Sequence, residues 1–168
     1  VALASQQRAA RAREQGWFTS MVPITLEDGS VVSADECIRA STTVQQLAEM
    51  PAVFAKAGAA GVDAFQLAGH PQLSAVEHIH TAGNSPAMAD GAALVLIADE
   101  TWGQRNGRRP RARIVASVTV NADPLQVLSG CVEATRSLLA QQGLSAADID
   151  LFEIHEAFAA VSVVAMRE

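Results

Sequence analysis

The segment that decides the fold is Ile149-Asp150-Leu151-Phe152-Glu153-Ile154-His155-Glu156-Ala157-Phe158-Ala159. Residues 151–154 predict a short β-strand, and from Glu156 onward the apolar residues follow the spacing of one helix face. His155 lies where the predicted strand ends. Because the chemistry of α/β sheets lies beyond the carboxyl ends of their strands, the segment predicts an α/β fold and makes His155 a candidate site residue.

Strands and helices also alternate along the rest of the chain. The continuous apolar run Ala92–Ile97 predicts a strand buried on both faces, and Ile114–Val120 predicts a further strand. Asp28-Gly29 predicts a hairpin turn between two short strands. Helices are predicted over Leu3–Glu14, from Thr42 or Thr43 to Met50, over Asp99–Gln104, over Glu133–Gln142 and from Glu156 onward. Ala55–Ala75 is predicted to be the least structured stretch.

Composition excludes several classes of protein. Hydrophobic residues make up 49% of the 168 residues and charged residues 18%, which is enough for a core and argues against disorder. The formal net charge of −6 argues against a nucleic-acid partner. No apolar run is long enough to span a bilayer. Cys37 and Cys131 match no metal-binding or redox spacing, so we expect reduced thiols in a cytoplasmic protein.

A cluster of five arginines lies between Arg105 and Arg113. Guanidinium groups suit phosphates, including those of a nucleotide cofactor, but a solvated turn between domains is the simpler interpretation. Arg108-Arg109-Pro110 also marks the best candidate domain boundary. The chain opens on Val1 and closes on Glu168, both inside helical patterns, so we expect a segment of a longer protein.

Several separate segments resemble motifs of the thiolase family, in the order in which that family has them. They are Ser5-Gln6-Gln7-Arg8-Ala9, Asp35-Glu36-Cys37-Ile38-Arg39, Thr81-Ala82-Gly83-Asn84-Ser85, Asp90-Gly91-Ala92-Ala93, Pro110-Arg111-Ala112-Arg113-Ile114, Asp123-Pro124, Ala134-Thr135, Gly143-Leu144 and Ile149–Ala159. Together they cover nearly the whole chain. The resemblance rests on their shared order, since no single segment is decisive.

The resemblance implies a thiolase fold, an α/β fold with layers α-β-α-β-α in two similar halves, only partly covered by this chain. Residues 1–75 would be the end of a loop domain, residues 76–108 the end of the N-terminal half, and residues 109–168 the start of the C-terminal half. The last boundary agrees with the one that composition indicates.

The resemblance also implies an acyl-CoA C-acyltransferase that forms an acyl-cysteine intermediate. Coenzyme A and acyl-CoA would be substrates, with no covalently bound cofactor, and the whole protein would be a dimer or tetramer. The family's nucleophilic cysteine precedes the region equivalent to Val1, and its catalytic histidine and second cysteine follow the region equivalent to Glu168. We therefore expect this chain alone to be inactive.

His155 stands where the family usually has an asparagine that fixes a water in an oxyanion hole. An imidazole N–H donates a hydrogen bond to the same water, so the role survives the change. The alternative is a histidine whose role at the end of a strand is only structural. The His155 variant resembles β-subunits of trifunctional complexes, and it favours degradative 3-ketoacyl-CoA cleavage over acetoacetyl-CoA synthesis.

Four further residues match family positions that contact the substrate. Arg39 matches a position at the nucleotide end of coenzyme A, although a surface salt bridge is the alternative. Phe54 and Ser85 match positions along the pantetheine channel. Phe158 matches a position in the acyl pocket, or it is a core aromatic residue at helical spacing.

Other histidines invite functions that the sequence does not support. Gly69-His70-Pro71 resembles the family's catalytic motif but comes before Thr81-Ala82-Gly83-Asn84 and lacks the residues that should follow, so we reject it. Beyond Glu77, the histidines His70, His78 and His80 have no tightly spaced acidic or cysteine partner, and no metal site is predicted.

Two other functions remain open from the sequence. One is a truncated, non-catalytic thiolase remnant that binds a partner, which should expose a large apolar surface. The other is a thiolase-like protein that binds acyl-CoA without carbon–carbon bond chemistry.

Overall fold

The computed structural model describes residues 1–168 and divides into two compact units. The first unit contains residues 1–87 and 154–168, and the second contains residues 88–153. The α-helices are α1 (Ala2–Glu14), α2 (Val44–Ala48), α3 (Ala55–Ala57), α4 (Asp63–Gly69), α5 (Glu100–Arg105), α6 (Gly130–Gln142) and α7 (Ala159–Arg167). The strands are β1 (Ile24–Thr25) and β2 (Val31–Val32), and Ala146–Asp148 forms a 3₁₀ turn.

The elements with strong local signals form as the sequence predicts. Helix α1 spans the predicted range, and β1 pairs antiparallel with β2 across the Asp28-Gly29 turn. Thr43 caps α2 through a capping box, because its hydroxyl accepts from the Gln46 amide at 3.2 Å while the Gln46 side chain accepts from the Thr43 amide at 2.9 Å. These predictions are confirmed. Each feature depends only on residues that are close in the sequence, and for that reason the sequence alone predicts it.

In the second unit, too, the helix ends are fixed by residues close to them in the sequence. Asp99 caps α5, since its carboxylate accepts from the Trp102 amide at 2.8 Å. Helix α6 ends at Gly143, which has φ +65° and ψ 28°, a left-handed conformation in which glycine carries no Cβ penalty. The amide and hydroxyl of Ser145 donate to the Asp148 carboxylate at 2.8 and 2.7 Å at the start of the 3₁₀ turn. Helices α5 and α6 agree with the sequence predictions.

The prediction for residues 55–75 is wrong over residues 55–69, which are helical, and is confirmed over residues 70–75, which form neither helix nor strand. A nearly continuous helical path runs from α3 through a π-helical turn (Gly58–Val62) to α4, with Gly61 at φ +119° forming the kink. Gly58 and Gly61 indicated a loop by composition, but glycine also permits a kink within a helix. Helix α7 begins at Ala159, not at Glu156, because Phe158 is extended at φ −140° and ψ 151°.

The predicted strands at Ala92–Ile97, Ile114–Val120 and Leu151–Ile154 do not form ladders. The two short strands β1 and β2 make up the sheet of this structure, and no backbone amide of residues 86–98 donates a hydrogen bond. The Leu94 side chain is 99% exposed and that of Ile97 71%. Apolar composition favours a strand, but a strand buried on both faces needs neighbouring strands and covering helices, which this chain does not supply here.

The exposed surface of the chain is correspondingly large. The solvent-accessible area is 13728 Å² for a mass of 17.6 kDa, whereas a folded monomer of this mass typically exposes about 7,900 Å². Ala10 is the one buried hydrophobic residue. The chain thus has well-formed helices and turns but very few buried side chains.

Candidate functional site

The loop that follows residue 80 is held in shape by Asn84. The Asn84 side-chain oxygen accepts from the Thr81 amide at 2.9 Å, and its amide nitrogen donates to the Ile79 carbonyl at 2.8 Å. Thr81 also forms an isolated antiparallel bridge with Ala52, and the Val53 amide donates to the His80 carbonyl at 2.8 Å. The loop is therefore fixed both by its own side chain and by the segment that precedes α3.

Gly83 allows this loop to lie directly against α2. A Cβ atom at Gly83 would lie 2.7 Å from the Met50 sulfur and would also collide with the Leu47 side chain. Any larger residue would have to displace both side chains. The close approach explains why the Thr81-Ala82-Gly83-Asn84 motif has glycine at its third position.

Two hydrogen bonds attach the segment His155–Ala159 to other parts of the first unit. The Ala159 amide donates to the Asn84 carbonyl at 3.0 Å. The Glu156 carboxylate accepts a 2.5 Å hydrogen bond from the Ser5 hydroxyl of α1, 151 residues away in the sequence. Residues from the two ends of the chain and from the Asn84 loop are thereby brought together.

A cavity of about 170 Å³ lies where these segments meet. Its polar wall contains Ser5, Gln6, Arg39, Asn84, Ser85 and Glu156. The Ser85 hydroxyl oxygen is buried and has no hydrogen-bond partner in the chain. A buried hydroxyl without a partner is uncommon in folded proteins, and it indicates a place where a ligand group could bond.

Three rings pack together beside this loop. The His80 ring lies 5.0 Å from that of Phe158 and 5.9 Å from that of Phe54, both edge-on, and the two phenyl rings are 6.2 Å apart. Such separations are typical of favourable aromatic pairs. The structure therefore brings the candidate residues Phe54 and Phe158 into one cluster and adds His80, which the sequence did not single out as part of it.

His155 itself is exposed, and its ring makes no hydrogen bond or ion pair within the chain. Its backbone carbonyl accepts from the Ala157 amide at 2.9 Å, which turns the chain tightly before α7. The imidazole is thus free to donate to a group outside this chain, and its direction is set by the backbone that carries it.

Two family models match the sequence: the thiolase N-terminal domain over residues 1–69 and the thiolase C-terminal domain over residues 108–168. Together they match more than half of the chain. The chain belongs to the thiolase family. The 3-oxoadipyl-CoA/3-oxo-5,6-dehydrosuberyl-CoA thiolase of Escherichia coli K12 is 37% identical to it over 99% of the chain and 38% of that thiolase.

Solved thiolases have the same backbone path. Human mitochondrial 3-ketoacyl-CoA thiolase in complex with CoA superimposes with a TM-score of 0.80 at 34% identity, over 99% of this chain and 37% of that one. The dimeric peroxisomal thiolase of Saccharomyces cerevisiae gives a TM-score of 0.82 at 29% identity, over the same shares. The predicted thiolase fold is confirmed, and the chain spans a little over a third of the length of the thiolases it matches.

Within this thiolase chain, Arg39 lines two cavities. Its backbone amide donates to the Gln6 side chain at 2.6 Å, and its exposed side chain lines both the 170 Å³ cavity and a wider one of about 700 Å³ beside α2. Arg39 belongs to neither of the ion pairs His78–Asp63 and Arg136–Glu133. Its guanidinium therefore has no carboxylate partner in the chain.

Sequence reasoning missed the pairings that build this thiolase site. Ser5, Asn84 and Glu156 each stand in a segment that resembled a family motif, but nothing in the sequence showed that Ser5 bonds Glu156. The Asp63–His78 pair, 2.9 Å apart, also went unnoticed because residues 55–75 were predicted to lack structure. No group of three or more His, Cys, Asp or Glu side chains is close enough to hold a metal ion, and no helix is long and apolar enough to cross a membrane.

Proposed function

We propose that the whole protein is an acyl-CoA C-acyltransferase of the thiolase type that cleaves 3-ketoacyl-CoA with coenzyme A, and so serves fatty-acid breakdown. The observation that supports this most directly is the convergence of distant thiolase motifs on one site. Ser5, Arg39, Asn84, Ser85 and Glu156 line one cavity although they come from well-separated parts of the sequence. The relatives named above are thiolases, and one of them was solved with CoA.

In this proposal His155 donates a ring N–H to a water that stabilises the negative charge developing on a thioester oxygen. An exposed imidazole without a protein partner suits that role. Arg39, whose guanidinium is unpaired, contacts the nucleotide end of coenzyme A. Ser85, whose hydroxyl is buried and unpaired, bonds the pantetheine arm.

Phe54 and Phe158 complete the substrate-binding part of the proposal. Their rings lie 6.2 Å apart, close enough to form a continuous apolar wall. Phe54 faces the pantetheine channel and Phe158 the acyl pocket. The proposal includes the three domain segments 1–75, 76–108 and 109–168, a homo-oligomer as in the dimeric yeast thiolase, and a cytoplasmic location.

The test is thiolysis by the full-length protein with coenzyme A and two substrates, acetoacetyl-CoA and a medium-chain 3-ketoacyl-CoA. The wild type is expected to cleave the longer substrate, and His155→Ala is expected to lose about 10²-fold or more in kcat. His155→Asn should retain most of the activity, because an amide also donates to the water. Cleavage of acetoacetyl-CoA alone would refute the degradative assignment, and full activity of His155→Ala would refute the role of His155.

One observation favours a second function, a non-catalytic remnant that binds a partner protein. The chain exposes apolar side chains in runs, among them Leu94, Val95, Leu96 and Ile97. Exposed apolar patches of this kind mark interaction surfaces. The intact mass of the protein from its source separates the two functions: more than twice 17.6 kDa favours the enzyme, whereas 17.6 kDa favours the remnant. A monodisperse, stable monomer of 17.6 kDa would contradict the remnant.

A further inference from the structure

The contact between Ser5 and Glu156 is the longest-range side-chain hydrogen bond in the chain. It joins the first turns of α1 to the residue that directly follows His155. An O–H donor and an ionised carboxylate form one of the stronger and shorter kinds of hydrogen bond, and the 2.5 Å separation is typical of it. The contact is therefore able to hold the backbone at residue 156 in one position.

No other part of the structure does this for Glu156. Because α7 begins only at Ala159, the carboxylate lies outside the helix and does not cap its first turn. The other attachments of the segment are the Ala159–Asn84 hydrogen bond and the packing of the Phe158 ring against His80 and Phe54, two to three residues further along the chain. Without Ser5, no hydrogen bond would join residues 155–157 to another segment.

His155 needs this support because its own ring has none. The imidazole makes no hydrogen bond within the chain, so its direction depends on the backbone of residues 155 and 156. A shift of about 1 Å in a catalytic group is able to reduce a rate by about 10²-fold. A hydrogen bond on the adjacent residue is thus well placed to decide whether the ring reaches its water.

We propose that Ser5 is a positioning residue for catalysis: its hydroxyl, through the Glu156 carboxylate, holds His155 in the orientation that the reaction requires. This inference rests on the proposed thiolase function. It assigns a catalytic consequence to a serine in α1 that touches neither the substrate nor the reacting atoms.

The experiment compares Ser5→Ala, Ser5→Thr and Ser20→Ala in the full-length protein. Ser5→Ala is expected to reduce kcat by about tenfold or more while changing KM by less than about twofold, because only the oriented ring is affected. Ser5→Thr retains a hydroxyl and is expected to restore most of kcat. Ser20, an exposed serine without a side-chain hydrogen bond, is the matched control and should be unaffected.

A double-mutant cycle distinguishes positioning from a general structural role. In a His155→Ala background, Ser5→Ala should change kcat by less than about twofold, since the group that it orients is gone. A full, additive loss in that background would overturn the proposal. So would an unchanged kcat of Ser5→Ala in the wild-type background.

A second measurement does not require activity. Hydrogen–deuterium exchange of the Ala157 amide, which donates to the His155 carbonyl, is followed by mass spectrometry, with the Gly143 amide at the end of α6 as the internal reference. Ser5→Ala should accelerate exchange at Ala157 and leave Gly143 unchanged, and an unchanged rate at Ala157 would overturn the proposal. If the wild type shows no thiolysis, the proposed function fails, while this labelling still decides whether Ser5 orients His155.

Discussion

The two compact units differ in how far apart in the sequence their contacting residues lie. In the first unit, Ser5 bonds Glu156, Asn84 bonds Ala159 and Val53 bonds His80, so loops and termini are joined across the chain. In the second unit, the hydrogen bonds belong to helices, caps and turns, and the apolar runs 92–97 and 114–120 have none. Residues that resemble functional motifs therefore have hydrogen bonds to distant segments in the first unit, whereas in the second unit Asp123, Thr135 and Leu144 bond only to near neighbours in the sequence.

The difference shows that sequence signals for single helices and turns are not sufficient to form a sheet. Helix α6 ends at Gly143 and the Ser145–Asp148 cap forms because each needs only residues within one or two turns. A buried strand needs partners supplied by other segments, and apolar composition cannot supply them. The second unit thus forms its predicted helices, but its predicted strands have no hydrogen-bonded partner strand.

The largest expected effect is on backbone hydrogen exchange in the 168-residue chain. The amides of Val53 and Ala159, which donate to distant carbonyls, should exchange at least about tenfold more slowly than those of residues 94–97, because the latter have no hydrogen bond to open. Mass spectrometry with peptide resolution measures this. Equal exchange in both regions would show that the long-range contacts of the first unit are not formed.

A glycine substitution compares the packing of the two units directly. Gly83→Ala places a methyl group 2.7 Å from the Met50 sulfur and is expected to lower the free energy of unfolding by about 1–3 kcal/mol. Gly91→Ala, in the second unit, meets nothing within 4 Å and should stay within about 0.5 kcal/mol of the wild type. Urea denaturation of the two variants of the 168-residue chain measures both changes, and similar values for the two would contradict the comparison.

The smallest expected effect is a change in the pKa of one aspartate in each unit, Asp28 in the first and Asp148 in the second. Hydrogen bonds from Ser30 lower the pKa of Asp28 in the first unit, and hydrogen bonds from Ser145 lower the pKa of Asp148 in the second, in each case with the hydroxyl as the larger cause. Ser30→Ala and Ser145→Ala should each raise the pKa of the neighbouring carboxyl group.

The sign of the pH dependence follows from these directions. A carboxyl group whose pKa is lower in the folded state stabilises it above the ordinary pKa of aspartate, and this contribution is lost as the pH falls through the lowered pKa. In both alanine variants, the free energy of unfolding should therefore decrease less as the pH falls into the acidic range. Carboxyl ¹³C titration checks the shifts, and a change at Asp28 but not at Asp148 would show that the two turns are not equivalent.

The sequence by itself determined the features that depend on near neighbours and on motif order. It determined α1, a helix that begins after Thr42 or Thr43 and the Gly143 helix end, because capping residues and glycine act within a few positions. It also indicated the thiolase family through the order of the motifs along the chain. The tertiary structure alone decided that Ser5 bonds Glu156, that His80 packs between Phe54 and Phe158, and that residues 92–97 lack a ladder. These outcomes depend on which distant segments meet, and contacts between distant segments leave no periodic or short-range trace in the sequence.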